Sequence, residues 1–240
     1  VGGALSVRHD FDEVFAIFEG ATLDARVAYY SGKEDKDKDK STYKADGSED
    51  VSKFETEWEE KTDDLFQGEI NLALPFTSGP VHNIFKTGLL GKYKTRDKAK
   101  TKTKAGVPQS AGEKDVYALE EVTLAGYVQN EAELFGVLKV TPGLRIEAAD
   151  LEATSGSGLT SDGASFDVLP SLPFELALSD AWSLSGGVAR VVTRPKFDLL
   201  VPWESTSGSK TTIGNPDLEP ERGWAYDVDL DYTSTHVDLG

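Results

Sequence analysis

From Phe66 to Phe76, the residues Phe66, Gly68, Ile70, Leu72, Leu74 and Phe76 alternate with Gln67, Glu69, Asn71, Ala73 and Pro75. A period of two predicts a strand with one apolar and one polar face. Thr77-Ser78-Gly79-Pro80 supplies turn chemistry, and the chain returns through Phe85, Thr87, Leu89, Gly91 and Tyr93 against Lys86, Gly88, Leu90, Lys92 and Lys94. Two such runs about a short turn predict a hairpin. The unit recurs as a strand near Val122 to Leu134, a turn around Phe135-Gly136, and a return in which Leu138, Val140, Leu144 and Ile146 oppose Lys139, Thr141, Arg145 and Glu147. A third hairpin has Phe174, Leu176 and Leu178, a turn at Ser179-Asp180, then Trp182, Leu184, Gly186 and Val188. Earlier, Leu23, Ala25, Val27 and Tyr29 alternate with Asp24, Arg26 and Ala28, and Leu5 and Val7 fit a partner strand across a connection near Phe11 to Gly20. Near the end Trp224, Tyr226, Val228, Leu230 and Tyr232 alternate with Ala225, Asp227, Asp229 and Asp231. Matching to the strand template gives roughly nine strands.

Connections alternate in length. Short ones follow Phe76, Leu134 and Leu178, whereas long polar ones fill 32 to 53, 95 to 115, 149 to 164 and 195 to 222. Tight turns at one end and extended loops at the other are the rhythm of an outer-membrane barrel. The alternation alone also suits a small self-contained β-barrel binding module, in the outer membrane or soluble. The polar face carries Glu69, Asn71, Lys92, Arg145, Glu147, Asp227, Asp229 and Asp231. These are either the lining of a water-filled lumen or the solvated outside of a soluble sheet. Tyr29, Phe66, Phe76, Tyr93, Trp182, Trp224 and Tyr232 lie near strand ends, where interfacial aromatic girdles form.

Composition narrows the classes. A formal net charge of -17 lacks the basic footprint that phosphate binding needs, so nucleic acid is not an expected partner. No apolar stretch reaches the roughly 18 residues of a transmembrane helix, a test that strands of a barrel escape. Cysteine is absent, which removes disulfides and thiol chemistry. No signal peptide is visible, and the chain reads as a segment of a longer protein. His9, His82 and His236 lie in no ligand spacing, so no enzyme, metal or cofactor is expected. Asp227, Asp229 and Asp231 recur about 7 Å apart along one strand face, too far to share an ion.

Three charged runs remain: mixed Lys33 to Lys40, acidic Glu55 to Glu60, and basic Lys92 to Lys104. They sit at the long-loop ends of three successive strands. If those strands pair, the acids lie between cations, each favourable cross-strand pair giving about 0.2–1 kcal/mol. A charged ribbon projecting beyond the membrane is therefore expected.

Two motifs carry a family resemblance. Thr193-Arg194-Pro195-Lys196-Phe197-Asp198-Leu199-Leu200 is followed by Gly214-Asn215-Pro216-Asp217-Leu218-Glu219-Pro220-Glu221 and the aromatic strand from Trp224. This order resembles the barrel of TonB-dependent receptors: an Arg-Pro-x-Phe strand end, an external loop with Asn-Pro-x-Leu-x-Pro-Glu, then an aromatic strand. Tyr127-Val128-Gln129, Thr141-Pro142-Gly143-Leu144-Arg145 and Val168-Leu169-Pro170-Ser171-Leu172 are similar to family segments as well, so the likeness runs from about 117 to 233. A structural role is expected for Arg194, Pro195, Phe197, Asn215, Pro216, Asp217, Leu218, Pro220 and Glu221, with the prolines restricting the loop and the acids accepting amide bonds.

The resemblance implies an all-β, antiparallel up-and-down transmembrane barrel, of which this chain forms about 9–10 strands out of about 22. It implies an outer-membrane location in a Gram-negative bacterium, contact with lipid, and uptake of a scarce small molecule such as a ferric siderophore. Energy would come from the TonB complex, acting only through a plug domain, which is not visible in this sequence. The ending at Leu239-Gly240, without the family's terminal aromatic strand, fits a segment better than a whole barrel.

Overall fold

A computed structural model describes residues 1–12, 18, 20–110, 112, 115–195, 197–201, 204–207, 209–215 and 217–233. Its strands are β1 (Gly2–Phe11), β2 (Ala21–Lys40), β3 (Glu55–Ser78), β4 (Val81–Lys104), β5 (Val107–Gln109), β6 (Val116–Leu134), β7 (Leu138–Val140), β8 (Gly143–Ser155), β9 (Thr160–Ala177), β10 (Trp182–Thr193), β11 (Glu204–Ser207), β12 (Lys210–Ile213) and β13 (Glu221–Tyr232), with one short helix, α1 (Phe197–Leu200). Eleven strands form one antiparallel sheet, and β11 and β12 make a separate hairpin. β7 and β8 lie end to end between β6 and β9, interrupted at Thr141-Pro142. β5 continues the track of β6 beside β4. The sheet therefore has nine strand positions among the described residues, and β1 and β13 stand at opposite edges of an open arc.

The turns follow local chemistry. At Leu134 to Val137, Phe135 and Gly136 both have positive φ, 55° and 70°, as a type I′ hairpin turn requires. Gly79, at φ 60°, precedes Pro80 between β3 and β4, the Gly-first arrangement of a type II′ turn. Ala105 and Gly106, at 51° and 77°, turn β4 into β5. That turn falls inside the 95 to 115 segment read from hydropathy as a loop. The loop readings at 32 to 53, 95 to 115 and 149 to 164 are too long throughout, because the ladder continues where the apolar alternation stops. β2 runs to Lys40, β3 starts at Glu55, and only residues 156–159 separate β8 from β9. Backbone pairing needs only a partner, and opposite charges across the strands supply one. The expected pairing of the three charged runs is present, with Lys36 opposite Glu59 and Glu59 opposite Lys100.

Register ties the two faces together across the sheet, since residues directly opposite share a face. On one face Tyr29 lies opposite Phe66 and Phe66 opposite Tyr93, an aromatic row over three strands. That face is apolar and open: Leu5 is 73% exposed, Leu89 66% and Leu124 61%. The buried core is small and lies on the other face, where Tyr117, Leu119 and Ala153 pack with Val201 beyond α1.

The polar face is the more enclosed side of the sheet, with Ala28 and Ala125 buried. Tyr127 Oη donates to Asn71 Oδ1 at 3.0 Å across two strand spacings, passing over Gly88, which lies opposite both residues. The Tyr127 ring can lean across because Gly88 puts no side chain in its way. A Cβ on Gly88 would stand 2.7 Å from Tyr127 Cε1 and 2.8 Å from the Ile70 carbonyl oxygen. Gly88→Ala is expected to cost about 1–3 kcal/mol by overpacking and to break the Tyr127–Asn71 bond. An unchanged denaturant midpoint in detergent would contradict this.

Candidate functional site

The eight polar residues singled out from the alternation share one face. Asn71 is opposite Gly88, Gly88 opposite Tyr127, and Tyr127 opposite Arg145. Glu69 is opposite Leu90, Leu90 opposite Ala125, Ala125 opposite Glu147, and Glu147 opposite Asp167. Lys92 lies between Gln67 and Thr123 on the same face. Asp227, Asp229 and Asp231 are opposite Gly187, Ser185 and Ser183, which pair with the Asp167 side of β9. One continuous polar wall thus runs from β2 to β13.

Glu147 and Asp167 put two carboxylates directly across from each other, an arrangement that needs countercharge. Three arginines provide it. Arg145 Nη2 donates to Glu147 Oε2 at 2.7 Å, and Arg194 forms an ion pair with Glu147 Oε1. Arg222 Nε donates to Asp167 Oδ1 at 2.6 Å. The Asp167 side chain is only 2% exposed, and its Oδ2 has no hydrogen-bond partner among the described residues. β9 and β10 stop pairing at Ser171 and Ala189, so the clasp lies where the ladder has opened. Arg194 stands just after β10 and Arg222 at the start of β13, which makes the pair a clasp on the two ends of the intervening segment.

The two motif segments also meet. Arg194, Pro195, Leu200, Asp217, Leu218 and Pro220 help line one cavity of about 460 Å³. Asn215 holds the bend, its amide donating to the Leu199 carbonyl at 2.8 Å and its Oδ1 accepting from the Asp217 amide at 3.1 Å. Phe197 opens α1, and Glu221 opens β13 opposite Thr193. Pro216 lies outside the described residues, as does His236. His82 contacts Thr77 at 3.3 Å, and the His9 ring lies edge-on to Phe11 in exposed β1. Among the described residues no cluster of three or more His, Asp or Glu is placed to hold a metal. Reasoning from the motifs missed Asp167 and Arg222. Asp167 does fall on the polar side of Phe166 and Val168, but nothing in sequence marks it as the neighbour of Glu147.

At the charged end, Lys100 Nζ lies 2.8 Å from Glu57, and Lys102 Nζ donates to Asp115 Oδ2 at 2.9 Å. The Lys100 hydrogen bond holds the Glu57 carboxyl below its ordinary range. For Asp115, burial pushes the other way, but Lys102 and the Gly112 amide outweigh it and the carboxyl is again lowered. Groups lowered on folding stabilise above their ordinary pKa, about 4, and lose that contribution as pH falls through the lowered value. Amide protection at the tips of β2, β3 and β4 is therefore expected to hold from pH 7 to about 5 and to fall below about 4. Protection constant down to pH 2 would contradict it.

The model of one protein family, described as TonB dependent receptor-like, beta-barrel, matches residues 2–240. No curated protein sequence matches the chain. Among solved structures, it resembles the ferric citrate transporter FecA in unliganded form at TM-score 0.65 and 13% identity, over 96% of this chain and 32% of that one. It resembles the closed ferric-catecholate import receptor Fiu from K12 E. coli at TM-score 0.69 and 13% identity, over 96% and 38%. The copper transporter OprC gives TM-score 0.56 and 14% identity, over 98% and 37%. The chain thus spans about a third of the length of the structures it resembles.

Proposed function

The chain belongs to the β-barrel family of TonB-dependent receptors, and from that premise we propose that it is wall from an outer-membrane receptor of a Gram-negative bacterium. Its polar face lines the lumen and its apolar face meets lipid. The receptor takes up a scarce small molecule, such as a ferric siderophore, with energy relayed from the TonB complex through a plug domain. The observation that carries this reading is the split between the faces. A row of large apolar residues stands open on one side, while the other carries the charged residues, among them the cross-strand pairs Lys86–Glu131 and Lys100–Glu57.

An exposed apolar face of this extent is unfavourable in water, where monomeric proteins rarely show patches beyond a few hundred Å². Against hydrocarbon it is the favourable side. The cargoes named for FecA and Fiu are iron chelates, and that of OprC is copper, so a metal-bearing small molecule is the class to test first.

Because the chain has no cysteine, single cysteines can report the faces directly. In outer-membrane preparations, Glu69→Cys and Lys92→Cys are expected to react with a charged, water-soluble maleimide. Ile70→Cys and Leu89→Cys should react only after the lipid is disordered by detergent. Equal labelling of both sets in intact membranes would refute the lumen assignment. Uptake of a radiolabelled ferric chelate that persists after the proton-motive force is collapsed would refute the energised transport.

A further inference from the structure

The charged ribbon is sorted by face. In Lys33 to Lys40 the sequence reads as a mixed run, but a strand sends alternate residues to opposite sides. Lys36, Lys38 and Lys40 lie opposite Glu59, Glu57 and Glu55, which lie opposite Lys100, Lys102 and Lys104. All of these are on the polar face, continuous with Glu69 and Lys92. Asp35, Asp37 and Asp39 face the other way, opposite Glu60, Trp58 and Thr56. Over 33–40, 55–63 and 96–104 the polar face carries nine Lys or Arg against five Asp or Glu, and the opposite face one lysine against five acids.

In the last three rungs three glutamates stand among six lysines, and although Lys36 also pairs with Glu34 at 2.9 Å, the face as a whole keeps an excess of positive charge. Asp115 offsets one of the lysines, from the segment before β6. Successive rungs on a face are about 7 Å apart. The array is held in place by Lys100 and Glu57 at 2.8 Å and by the Thr56 and Thr103 hydroxyls at 2.5 Å. Within a chain of net charge -17, a face on which cations outnumber acids concentrates positive charge where an anion can be drawn in.

We propose that the inward face of this ribbon is a capture surface for a small multivalent anion, one bearing several carboxylate or phosphate groups. The assignment rests on the reading of the polar face as lumen and names the ligand chemistry that its rim accepts. The outward face, acidic, disfavours the same anions.

The test uses the complete receptor in detergent, with the tricarboxylate tricarballylate and inorganic pyrophosphate as probes and trehalose as the neutral control. Both anions are expected to bind at low salt and to weaken steeply as salt rises. Lys36→Gln, Lys38→Gln and Lys40→Gln together are expected to weaken them at least about tenfold. Asp35→Asn, Asp37→Asn and Asp39→Asn together should change binding less than about twofold. Equal effects in the two triples would mean a general field rather than a surface, and would overturn the proposal. So would absence of binding, or equal binding of trehalose. Lipopolysaccharide, which carries phosphate on a lipid, is titrated in parallel. Tighter binding of it through the same lysines would overturn the solute assignment. This binding needs neither lipid nor transport, so its failure is separate from failure of the cysteine labelling that tests the lumen reading.

Discussion

Arg222→Leu is expected to cost about 3 kcal/mol of folding stability, near the lower end for breaking a buried ion pair from one side. Asp167 is almost wholly buried, and its only hydrogen bond among the described residues is from Arg222. Its nearest cross-strand neighbour is another carboxylate, Glu147. Removing the guanidinium leaves two acids facing each other, with Arg145 and Arg194 both committed to Glu147. The lower end is chosen because Arg222 itself is 30% exposed and water reaches it. The measurement is reversible unfolding in detergent or lipid, with Asp167→Leu as the second arm of a cycle. The double variant is expected to recover most of the loss, because replacing both partners removes the uncompensated charge. A single-variant cost under about 1 kcal/mol would show that the clasp is only a surface pair. The same variant should free the segment between β10 and β13, read as faster proteolysis there while the sheet persists.

Leu89→Arg and Leu124→Arg are each expected to cost about 2–4 kcal/mol in a bilayer, the depth-dependent cost of a cation on the lipid face of a barrel. Both side chains are more than half exposed, so a water-soluble sheet would accept arginine at either position with little change. The two environments therefore give opposite answers. Glycines opposite and beside these leucines, Gly91 and Gly126, leave a hollow of about 730 Å³ on this face, so an arginine stem has room and steric strain does not blur the result. The matched controls Glu69→Arg and Gln67→Arg, on the polar face, should cost far less. A loss at the controls equal to that at the leucines would place lipid on neither face.

Much of the sheet is legible in the sequence. The Phe66 to Phe76 alternation marks β3 because half-buried strands are the one structure whose side chains repeat every second residue. The Phe135-Gly136 turn is readable because glycine accepts positive φ at low cost. The charged tips are partly legible: hydropathy alone marks a polar stretch such as Arg96 to Lys104 as loop, whereas complementary charge in three successive runs predicts that they pair. The paired motifs at Arg194 to Leu200 and Asn215 to Glu221 point to a loop, and the structure seats both on one cavity.

What the sequence determined by itself is the period: two faces, about nine strands, tight turns at one end, and which residues share a side within each strand. That follows because alternation is a local property, set by backbone geometry over a few residues. Only the tertiary structure decided which residues stand opposite one another. Glu147 meets Asp167, Arg222 reaches back to that pair, and Lys36, Lys38 and Lys40 join Lys100, Lys102 and Lys104 across the glutamates of β3. These pairings depend on register between segments far apart in the chain. A slip of a single residue would turn every side chain of a strand to the other face, and no local pattern records it.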